Sequence, residues 1–526
     1  MSGPSAAADV RARVPAAITT RRQRRHEAME IWIVIDKFRI DDRPAGSRPR
    51  SEGSTPPLAH VPVLALSALV GLVLLVRSGA SAGIVYSIDE SYFVAAGRRL
   101  SWGYADQPPL TPLLAHLMDS TFPGSSVGLR LPATLLTAAG VAIAALIARE
   151  LGGGRRAQMI AAAGYALAML PWGQILYPAT LDVFFWTLLS WLLVRWVRLH
   201  GQGQRNDGLL LAAGVATALS LQTKYLIPAL WAVLALSILA VGPRQMLLRP
   251  ALWVGGALAA LSAAPGLLWQ SRHGWPQIEV SEVISAQGKT DILGALSAAG
   301  LPAGVLLLGY GLWHLVRSPQ LRAYRFFGWT VIGLLVVFVI AGGRDYYALG
   351  IYPVCFAAGA VELERRCSAR WRGWLIIWPV IAVSVVAVAL DLLPGSPAES
   401  DSRQQADRVA MAYRSLPLDT REEVAVLTET YTQAGYLERF GPQRGMPTTV
   451  YSPNRGFWYF GAPPEPLQAV LYVSGNEPVR LENLRRHFSQ AKQLVAGEEN
   501  SGVGSVWLLE RRRAPWAEIW PEVYYL

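Results

Sequence analysis

The sequence has few charged residues and few cysteines. Only 16% of its 526 residues are charged and 52% are hydrophobic, and it has two cysteines, Cys355 and Cys367. So little charge excludes an ordinary soluble protein, and so few cysteines predict no disulfide framework. The sequence also lacks a Walker motif, a glycine-rich dinucleotide loop and a zinc knuckle, so a nucleotide-driven cytosolic enzyme is disfavoured.

Long apolar runs take the place of charged surface. Several runs of about 17 to 25 residues match the thickness of a bilayer core. We therefore predict a polytopic α-helical membrane protein with about eleven transmembrane helices. The predicted spans are 61–77, 127–148, 157–173, 181–198, 208–222, 225–241, 250–269, 293–316, 326–341, 346–362 and 373–393.

Arginines are distributed unequally between alternate loops, and this predicts the orientation. One set of loops carries clusters such as Arg155-Arg156 and Arg365-Arg366, whereas the loops between them hold few basic residues. Loops rich in arginine stay in the cytoplasm. An odd number of spans then places the C-terminus outside the cell membrane. The same bias explains the net charge of +11 without a nucleic acid partner.

Composition divides the chain into three parts. Residues 1–57 are rich in Arg, Pro and Ser, lack the pattern of a signal peptide, and predict a disordered cytosolic extension in which Met29 is a candidate start. Residues 58–395 form the predicted membrane domain. Within it, segments 91–101 and 108–120 of the first outer loop predict short amphipathic helices on the membrane surface.

Residues 396–526 are mixed polar and charged, and they predict a small soluble domain of α/β or α+β type outside the cytoplasm. The sequence predicts strands at Val424–Leu427, Ala469–Val473 and Val506–Leu509, and helices near 401–415 and 481–494.

Adjacent carboxylates follow the first apolar run. Asp89 and Glu90 lie in the first outer loop, and ionisable residues at a membrane edge indicate function by default. Two neighbouring carboxylates favour one raised pKa, which suits a general base, or together they suit a cation site. The alternative is a solvated pair, or a cap for the helix predicted at 91–101.

Two more acids are predicted on the same side. Asp182 lies at the outer start of the fourth predicted span, in Tyr177-Pro-Ala-Thr-Leu-Asp182, and Asp106 precedes Gln107-Pro-Pro. Either could join a common site with Asp89. Either could instead cap a helix.

Arginine and lysine are scarce in the loops predicted to be on the outer side, so the few basic residues there call for an explanation. Lys224 lies between two closely spaced spans, and Arg344 follows the ninth. An anionic head group is one reason, and interfacial snorkelling is the other. His273 could bind a metal with Asp106 or Asp89, but a lone histidine without ligand spacing more often has a structural or solvated role.

Together these residues resemble the GT-C superfamily of polytopic glycosyltransferases. They are more closely similar to the bacterial family 39/83 group, which includes protein O-mannosyltransferase-like and aminoarabinose-transferase-like enzymes. Asp89-Glu90, followed by Tyr92-Phe93, resembles the acidic motif of the first outer loop, and 103–109 resembles a glycine–acid–x–Pro-Pro element. Asp182, Lys224 and the segment 344–353 resemble further motifs. The resemblance covers about 60–395, and Glu429-Thr-Tyr431 and 452–461 are similar to the outer domains of many bacterial members.

The resemblance implies transfer of a sugar from a polyprenyl-phosphate donor to an extracytoplasmic acceptor, with inversion at the anomeric carbon. It implies that Asp89 is the base and that Glu90 orients that base or the acceptor. The substrate-binding residues that it implies are Asp182, Lys224, Arg344, Tyr346, Tyr347 and Gln107. Gln107 stands where aminoarabinose-transferase-like relatives carry a lysine. Asp106 and His273 stand where those relatives can hold a metal, so a divalent metal is left open and no cofactor is certain.

Two other classes of protein remain as alternatives. A secondary transporter or lipid flippase would place ionisable groups near mid-membrane, often within two repeated halves. A non-catalytic envelope assembly protein would use its outer domain as a binding module. The predicted acids lie at the membrane edge and the sequence shows no internal repeat, which favours the transferase.

Overall fold

The computed structural model describes residues 55–80, 88–287, 291–367, 379–386, 398–475, 477–497 and 504–526. The predicted extension 1–57 lies outside these residues except for 55–57, as does most of the predicted span 373–393. The helices up to residue 367 are α1 (His60–Ala80), α2 (Ile88–Gly97), α3 (Leu110–Thr121), α4 (Ser126–Glu150), α5 (Arg155–Met169), α6 (Pro178–Gly201), α7 (Gly208–Leu221), α8 (Ile227–Val241), α9 (Pro250–Arg272), α10 (Pro276–Gln287), α11 (Ile292–Ser297), α12 (Ala303–Arg317), α13 (Arg325–Ile340) and α14 (Tyr352–Cys367).

Five helical stretches are long and apolar enough to cross a membrane, judged by length and composition: α1, α4, α6, α9 and the stretch Pro319–Ile340, which includes α13. The helices α7, α8 and α12 are apolar but shorter. Because many of their large apolar side chains are exposed, these helices suit a lipid surround. The prediction of a polytopic helical fold is confirmed, whereas the count of eleven spans stays a prediction.

Two predicted spans differ from the structure. The span 293–316 is divided into α11 and α12, because Gly300 adopts a left-handed φ of 89° and Pro302 has no amide hydrogen with which to continue a helix. The span 346–362 begins only at Tyr352. The sequence contains no indication of α10, which lies in a loop that we predict to be on the outer side.

Small residues let the membrane helices approach closely. A β-carbon at Gly214 of α7 would collide with the α-carbon of Gly255 in α9, and one at Gly311 of α12 would collide with the carbonyl oxygen of Cys355 in α14. Packing of this kind holds helices together in lipid, where the hydrophobic effect gives no preference between helix and tail.

Charged residues at one end of the bundle join helices to each other. Glu150 at the end of α4 pairs with Arg198 near the end of α6. Glu364 of α14 accepts hydrogen bonds from the amides of Gly154 (2.6 Å) and Arg156 (3.0 Å). This end carries the arginine-rich loops of the sequence, so it is the end that we predict to be cytoplasmic.

The C-terminal part contains a four-stranded mixed sheet. Its elements, after a helical segment α15 (379–386), are α16 (Ala398–Ser415), α17 (Leu418–Glu423), β1 (Val424–Thr428), α18 (Tyr431–Phe440), α19 (Arg455–Trp458), β2 (Ala469–Val473), α20 (Pro478–Arg485), β3 (Phe488–Val495), β4 (Val506–Arg512) and α21 (Trp516–Glu522). The strand order is β1-β2-β4-β3. Strands β1 and β2 are parallel, and the other pairs are antiparallel.

Three of these strands lie where the sequence predicts them, and the helix predicted near 401–415 is present as α16. The helix predicted near 481–494 is wrong in its second half: α20 ends at Arg485, and β3 follows it. Strand β3 is an edge strand whose middle residues are exposed, so its polar composition resembles that of a helix surface. Pairing with β4, for example of Gln490 with Glu510, decides its conformation.

The C-terminal part packs against α2, in the loop that we predict to be the first outer one. One cluster of buried apolar side chains includes Tyr92 and Phe93 of α2 together with Ala434 and Leu437 of α18. The two helices approach closely because α18 has Gly435, where a β-carbon would lie 3.0 Å from the backbone of Ser91 and Tyr92. The fold therefore places the start of α18 next to the acids of α2.

Candidate active site

Asp89 lies in the first turn of α2, where unpaired amides favour a negative charge. Its side chain is partly exposed, and its Oδ1 accepts a hydrogen bond of 2.9 Å from the phenol of Tyr431. Burial raises the pKa of Asp89, while the Tyr431 bond and the charge of Arg455 oppose that rise. A carboxylate with a raised pKa is a stronger base than an ordinary aspartate.

Glu90 is buried and serves a different purpose. Arg130 of α4 donates hydrogen bonds of 2.8 to 3.1 Å to both of its carboxylate oxygens. The amide of Leu176, just before α6, donates another of 3.0 Å to Oε1. Bidentate pairing of this kind fixes orientation. Glu90 thus ties α2 to α4 and α6, which suits a role in orienting Asp89 and not in contacting an acceptor.

Asp106 lies in the loop after α2. Its Oδ1 accepts a hydrogen bond of 2.7 Å from the phenol of Tyr92. Burial raises the pKa of Asp106 to about 6, and the charge of Asp89 adds to the rise whereas that of Arg455 opposes it. Asp89, Asp106 and Arg455 therefore lie within electrostatic reach of one another.

Gln107 is buried, yet neither its Nε2 nor its Oε1 has a hydrogen-bond partner within the described residues. A buried amide without partners costs free energy of about 1–3 kcal/mol. Such a group beside Asp106 is suited to a polar ligand.

Asp182 lies one turn into α6 and is buried. Its Oδ1 accepts a hydrogen bond of 2.5 Å from the hydroxyl of Ser220 at the end of α7. The pocket that it lines also has Lys224, Tyr346 and Tyr347 in its wall. Three of the residues implied by the resemblance to bind substrate therefore share one pocket with Asp182.

Lys224 lies in the turn between α7 and α8. Its Nζ is 4.1 Å from the ring centroid of Tyr347 and 5.0 Å from that of Tyr346. Aromatic faces stabilise an ammonium group. Its backbone is fixed as well, because its amide donates to the carbonyl of Ser220.

Tyr177 and Tyr346 connect this pocket to Asp89. Their hydroxyls are 2.9 Å apart, and the ring of Tyr177 packs on Phe93 of α2 at 6.2 Å. Burial raises the pKa of Tyr346, and the charge of Asp89 adds to it. Asp89 therefore lies within electrostatic reach of the wall of the Asp182 pocket.

Arg344 follows α13, in a segment of turns. It is partly exposed, and within the described residues its guanidinium makes neither a hydrogen bond nor an ion pair. Its charge lowers the pKa of Tyr346, against the larger effect of burial. Arg344 is thus a cation within electrostatic reach of Lys224 and Tyr346, although it does not line their pocket.

His273, just after α9, is exposed. Its Nδ1 is 2.7 Å from the carbonyl oxygen of Trp269, and its ring stacks on that tryptophan at 4.0 Å. Across the part of the chain that the structure describes, no group of three His, Cys, Asp or Glu side chains could hold a metal ion. The metal at Asp106 and His273 stays a prediction, and no step below passes through a metal.

Sequence reasoning did not select Tyr431, Arg455 or Arg130 for the site. Arg130 was visible only as an arginine on the outer side, and Tyr431 and Arg455 lie more than 300 residues from Asp89. Arg455 carries one local signal, because the sequence Asn454-Arg455-Gly456 predicts a turn, and Arg455 has a φ of 48°. Left-handed φ at a non-glycine residue is often a mark of function.

Known proteins similar to this chain are found both by a family model and among solved structures. The family model described as dolichyl-phosphate-mannose-protein mannosyltransferase matches residues 106–269. The crystal structure of ArnT from Cupriavidus metallidurans bound to undecaprenyl phosphate is similar to this chain, with a TM-score of 0.55 at 16% identity, over 86% of this chain and 98% of that one. The apo form of ArnT gives a TM-score of 0.56 at 16% identity, over 85% and 97% of the two chains.

The chain shares the fold of ArnT. The Archaeoglobus fulgidus oligosaccharyltransferase in complex with Zn and sulfate is also similar, with a TM-score of 0.51 at 13% identity, over 78% of this chain and 68% of that one. No curated protein matches the chain in sequence. At these identities the GT-C likeness establishes the fold, and the chemistry has to be argued from the residues of this chain.

Proposed function

We propose that this protein is a membrane glycosyltransferase that moves a sugar from a polyprenyl-phosphate donor to an acceptor on the extracytoplasmic side. The observation that carries the proposal is the placement of Asp89, Asp182, Lys224 and Arg344 around one end of the bundle. Residues from four separate parts of the chain meet there, and each has a side chain that the reaction needs.

Two cations suit the donor's phosphate. Arg344 has no counterion within the described residues, and Lys224 is held between two tyrosine rings. Cations fixed before the reaction stabilise charge that develops on a leaving phosphate. The bound undecaprenyl phosphate in ArnT, a protein of the same fold, supports a lipid phosphate as the ligand.

Sugar hydroxyls require polar groups between the phosphate and the base. Asp182 offers a second carboxylate oxygen besides the one bonded to Ser220, and the hydroxyls of Tyr177 and Tyr346 lie between the Asp182 pocket and Asp89. Gln107 adds an amide without partners in the described part of the chain. These groups suit a saccharide placed between Arg344 and Asp89.

The proposed reaction is a single displacement. The acceptor oxygen forms a bond to the anomeric carbon while the bond from that carbon to the phosphate oxygen breaks, and its electron pair leaves with the phosphate. Asp89 takes the proton of the acceptor hydroxyl, and Arg344 and Lys224 stabilise the leaving phosphate. Attack opposite the leaving group inverts the anomeric centre.

The proposed location is the cell membrane. We place the N-terminus in the cytoplasm and residues 396–526 outside, because the arginine-rich loops lie at the end of the bundle opposite Asp89. The acceptor is then a glycan, lipid or protein of the cell envelope. Apolar grooves between the helices suit the polyprenyl tail.

Mass spectrometry of envelope lipids, glycans and proteins tests the proposal in a strain that lacks this gene. We expect one envelope component to lose the mass of a sugar, and a polyprenyl-phosphate sugar to accumulate. The wild-type gene should restore the component, whereas the D89N variant should not, although its protein is present at normal levels. An unchanged envelope, or restoration by D89N, would contradict the proposal.

A further inference from the structure

We propose that Tyr431 and Arg455 of the C-terminal domain are positioning residues for Asp89, so that this domain completes the catalytic centre. The inference rests on the proposed function, in which Asp89 is the base. It adds that the base is held in position by two residues of the C-terminal domain, which carries none of the other groups assigned to the reaction.

Tyr431 is held firmly at the start of α18. Thr430 and Gln433 form a capping box around it, in which each side chain bonds to the backbone of the other residue. Its own amide donates a hydrogen bond of 3.1 Å to Oδ1 of Asn454, and its ring meets Tyr92 edge-to-face at 5.3 Å. The phenol that reaches Asp89 therefore has little freedom to turn away.

Arg455 is placed over the same tyrosine. Its guanidinium lies 5.2 Å from the ring centroid of Tyr431, and its amide donates to the carbonyl of Tyr525 at 2.9 Å. The left-handed φ of 48° is costly for arginine, and the backbone bond to Tyr525 holds it there. From this position its charge acts on both acids, Asp89 and Asp106.

Three contacts fix the C-terminal domain against α2. Arg99 pairs with Glu438 of α18 at 2.5 and 3.0 Å. Gly435 packs on the backbone of Ser91 and Tyr92, and a β-carbon at Gly456 would collide with the hydroxyl of Tyr92. This close fit determines where Tyr431 and Arg455 lie relative to Asp89.

The electrostatic consequence has a definite sign. Burial raises the pKa of Asp89, and the hydrogen bond from Tyr431 and the charge of Arg455 both lower it. Removing either one should raise that pKa and leave less of the base ionised at a given pH. The titratable groups that act on Asp89 or respond to its charge are Glu90, Asp106, Tyr177, Tyr346, Tyr431 and Arg455.

Labelling with an apolar carbodiimide, dicyclohexylcarbodiimide, tests the inference without a known donor, because this reagent reacts with protonated carboxyls. The full chain in lipid nanodiscs is labelled between pH 4 and pH 8, and the peptide that contains Asp89 is quantified by mass spectrometry. In Y431F we expect the midpoint of labelling to rise by roughly 0.5–1 pH unit, from the loss of one hydrogen bond. R455Q should raise it in the same direction, whereas R455K should stay close to the wild type.

Y413F is the matched control, because the Tyr413 hydroxyl bonds to the carbonyl of Arg421 within the C-terminal domain. Its midpoint should equal that of the wild type. A midpoint that does not move in Y431F and R455Q, or no labelling of Asp89 at any pH, would overturn the inference. Failure of the proposed function looks different: D89N would then keep sugar transfer, whatever the labelling midpoints are.

Discussion

The Tyr431 hydroxyl lies 2.9 Å from the Asp89 carboxylate, although 342 residues separate the two in the chain. Asp89 belongs to a short helix beside the membrane bundle, and Tyr431 begins a helix that packs on the mixed sheet. The C-terminal domain is therefore in direct contact with the acid on which the proposed chemistry depends.

The pH dependence of sugar transfer should reveal the environment of Asp89. Because burial raises its pKa, the carboxylate is lost to protonation at a higher pH than for an ordinary aspartate. We expect kcat/KM to fall on the acidic side, starting above the usual range of aspartate pKa values near 4. Transfer rates measured across pH in liposomes check this, and a profile that stays flat down to pH 4 would contradict it.

Glu90 should matter for stability more than for substrate binding. Its bonds to Arg130 and Leu176 are buried, and breaking a buried pair by removing one charge costs about 3–5 kcal/mol. We expect E90Q to lower the thermal unfolding temperature of the purified protein clearly. E482Q is the control, since Glu482 forms an exposed pair with Arg485 and should have almost no effect. Equal unfolding temperatures for the two variants would count against this role.

Arg344 should contribute to donor binding through its charge. Replacing it with glutamine removes a charged hydrogen-bond donor worth about 1.5–3 kcal/mol, so the affinity for undecaprenyl phosphate should fall by about 10- to 150-fold. R344K should keep part of it. R444Q, which disrupts an ion pair with Asp407 in the C-terminal domain, should bind as the wild type does. Unchanged binding by R344Q would remove Arg344 from the donor site.

The contact of the C-terminal domain with α2 depends on a glycine. In G435A the new methyl group would press on the backbone of Ser91 and Tyr92, at 3.0 Å, and overpacking of this kind costs about 1–3 kcal/mol. We expect a lower unfolding temperature and slower sugar transfer. The control is G309A in α12, where a β-carbon meets nothing within 4 Å. Wild-type transfer by G435A would show that this close fit is not needed.

The membrane helices were predictable because bilayer thickness acts on each one separately. The bounds of α4, α7 and α13 lie within about two residues of the predicted spans. The placement of Asp182, Lys224 and Arg344 at one end of the bundle was predictable for a related reason, because positions at the same ends of antiparallel helices must lie on the same side. Their roles stay predictions. Each of these inferences needs only local composition and the order of spans.

The features that the sequence did not predict depend mostly on contacts between residues that are distant in the chain. Nothing near Glu90 in the sequence indicates that Arg130 neutralises it, and nothing near Tyr431 indicates Asp89. Strand β3 was predicted as helix because its exposed edge is polar, and only pairing with β4 reveals the strand. The break between α11 and α12 rests on the φ of a single glycine, Gly300.

The central claim is that Asp89 is the base of a transferase that uses a lipid phosphate. The most direct test uses the purified full chain in liposomes with the polyprenyl-phosphate sugar fraction of its own membranes, and measures release of the polyprenyl phosphate. Loss of a general base typically costs about 10²–10⁴-fold in rate. We predict a loss of that size for D89N, with binding of undecaprenyl phosphate unchanged. Release by D89N within a few-fold of the wild-type rate would contradict the account.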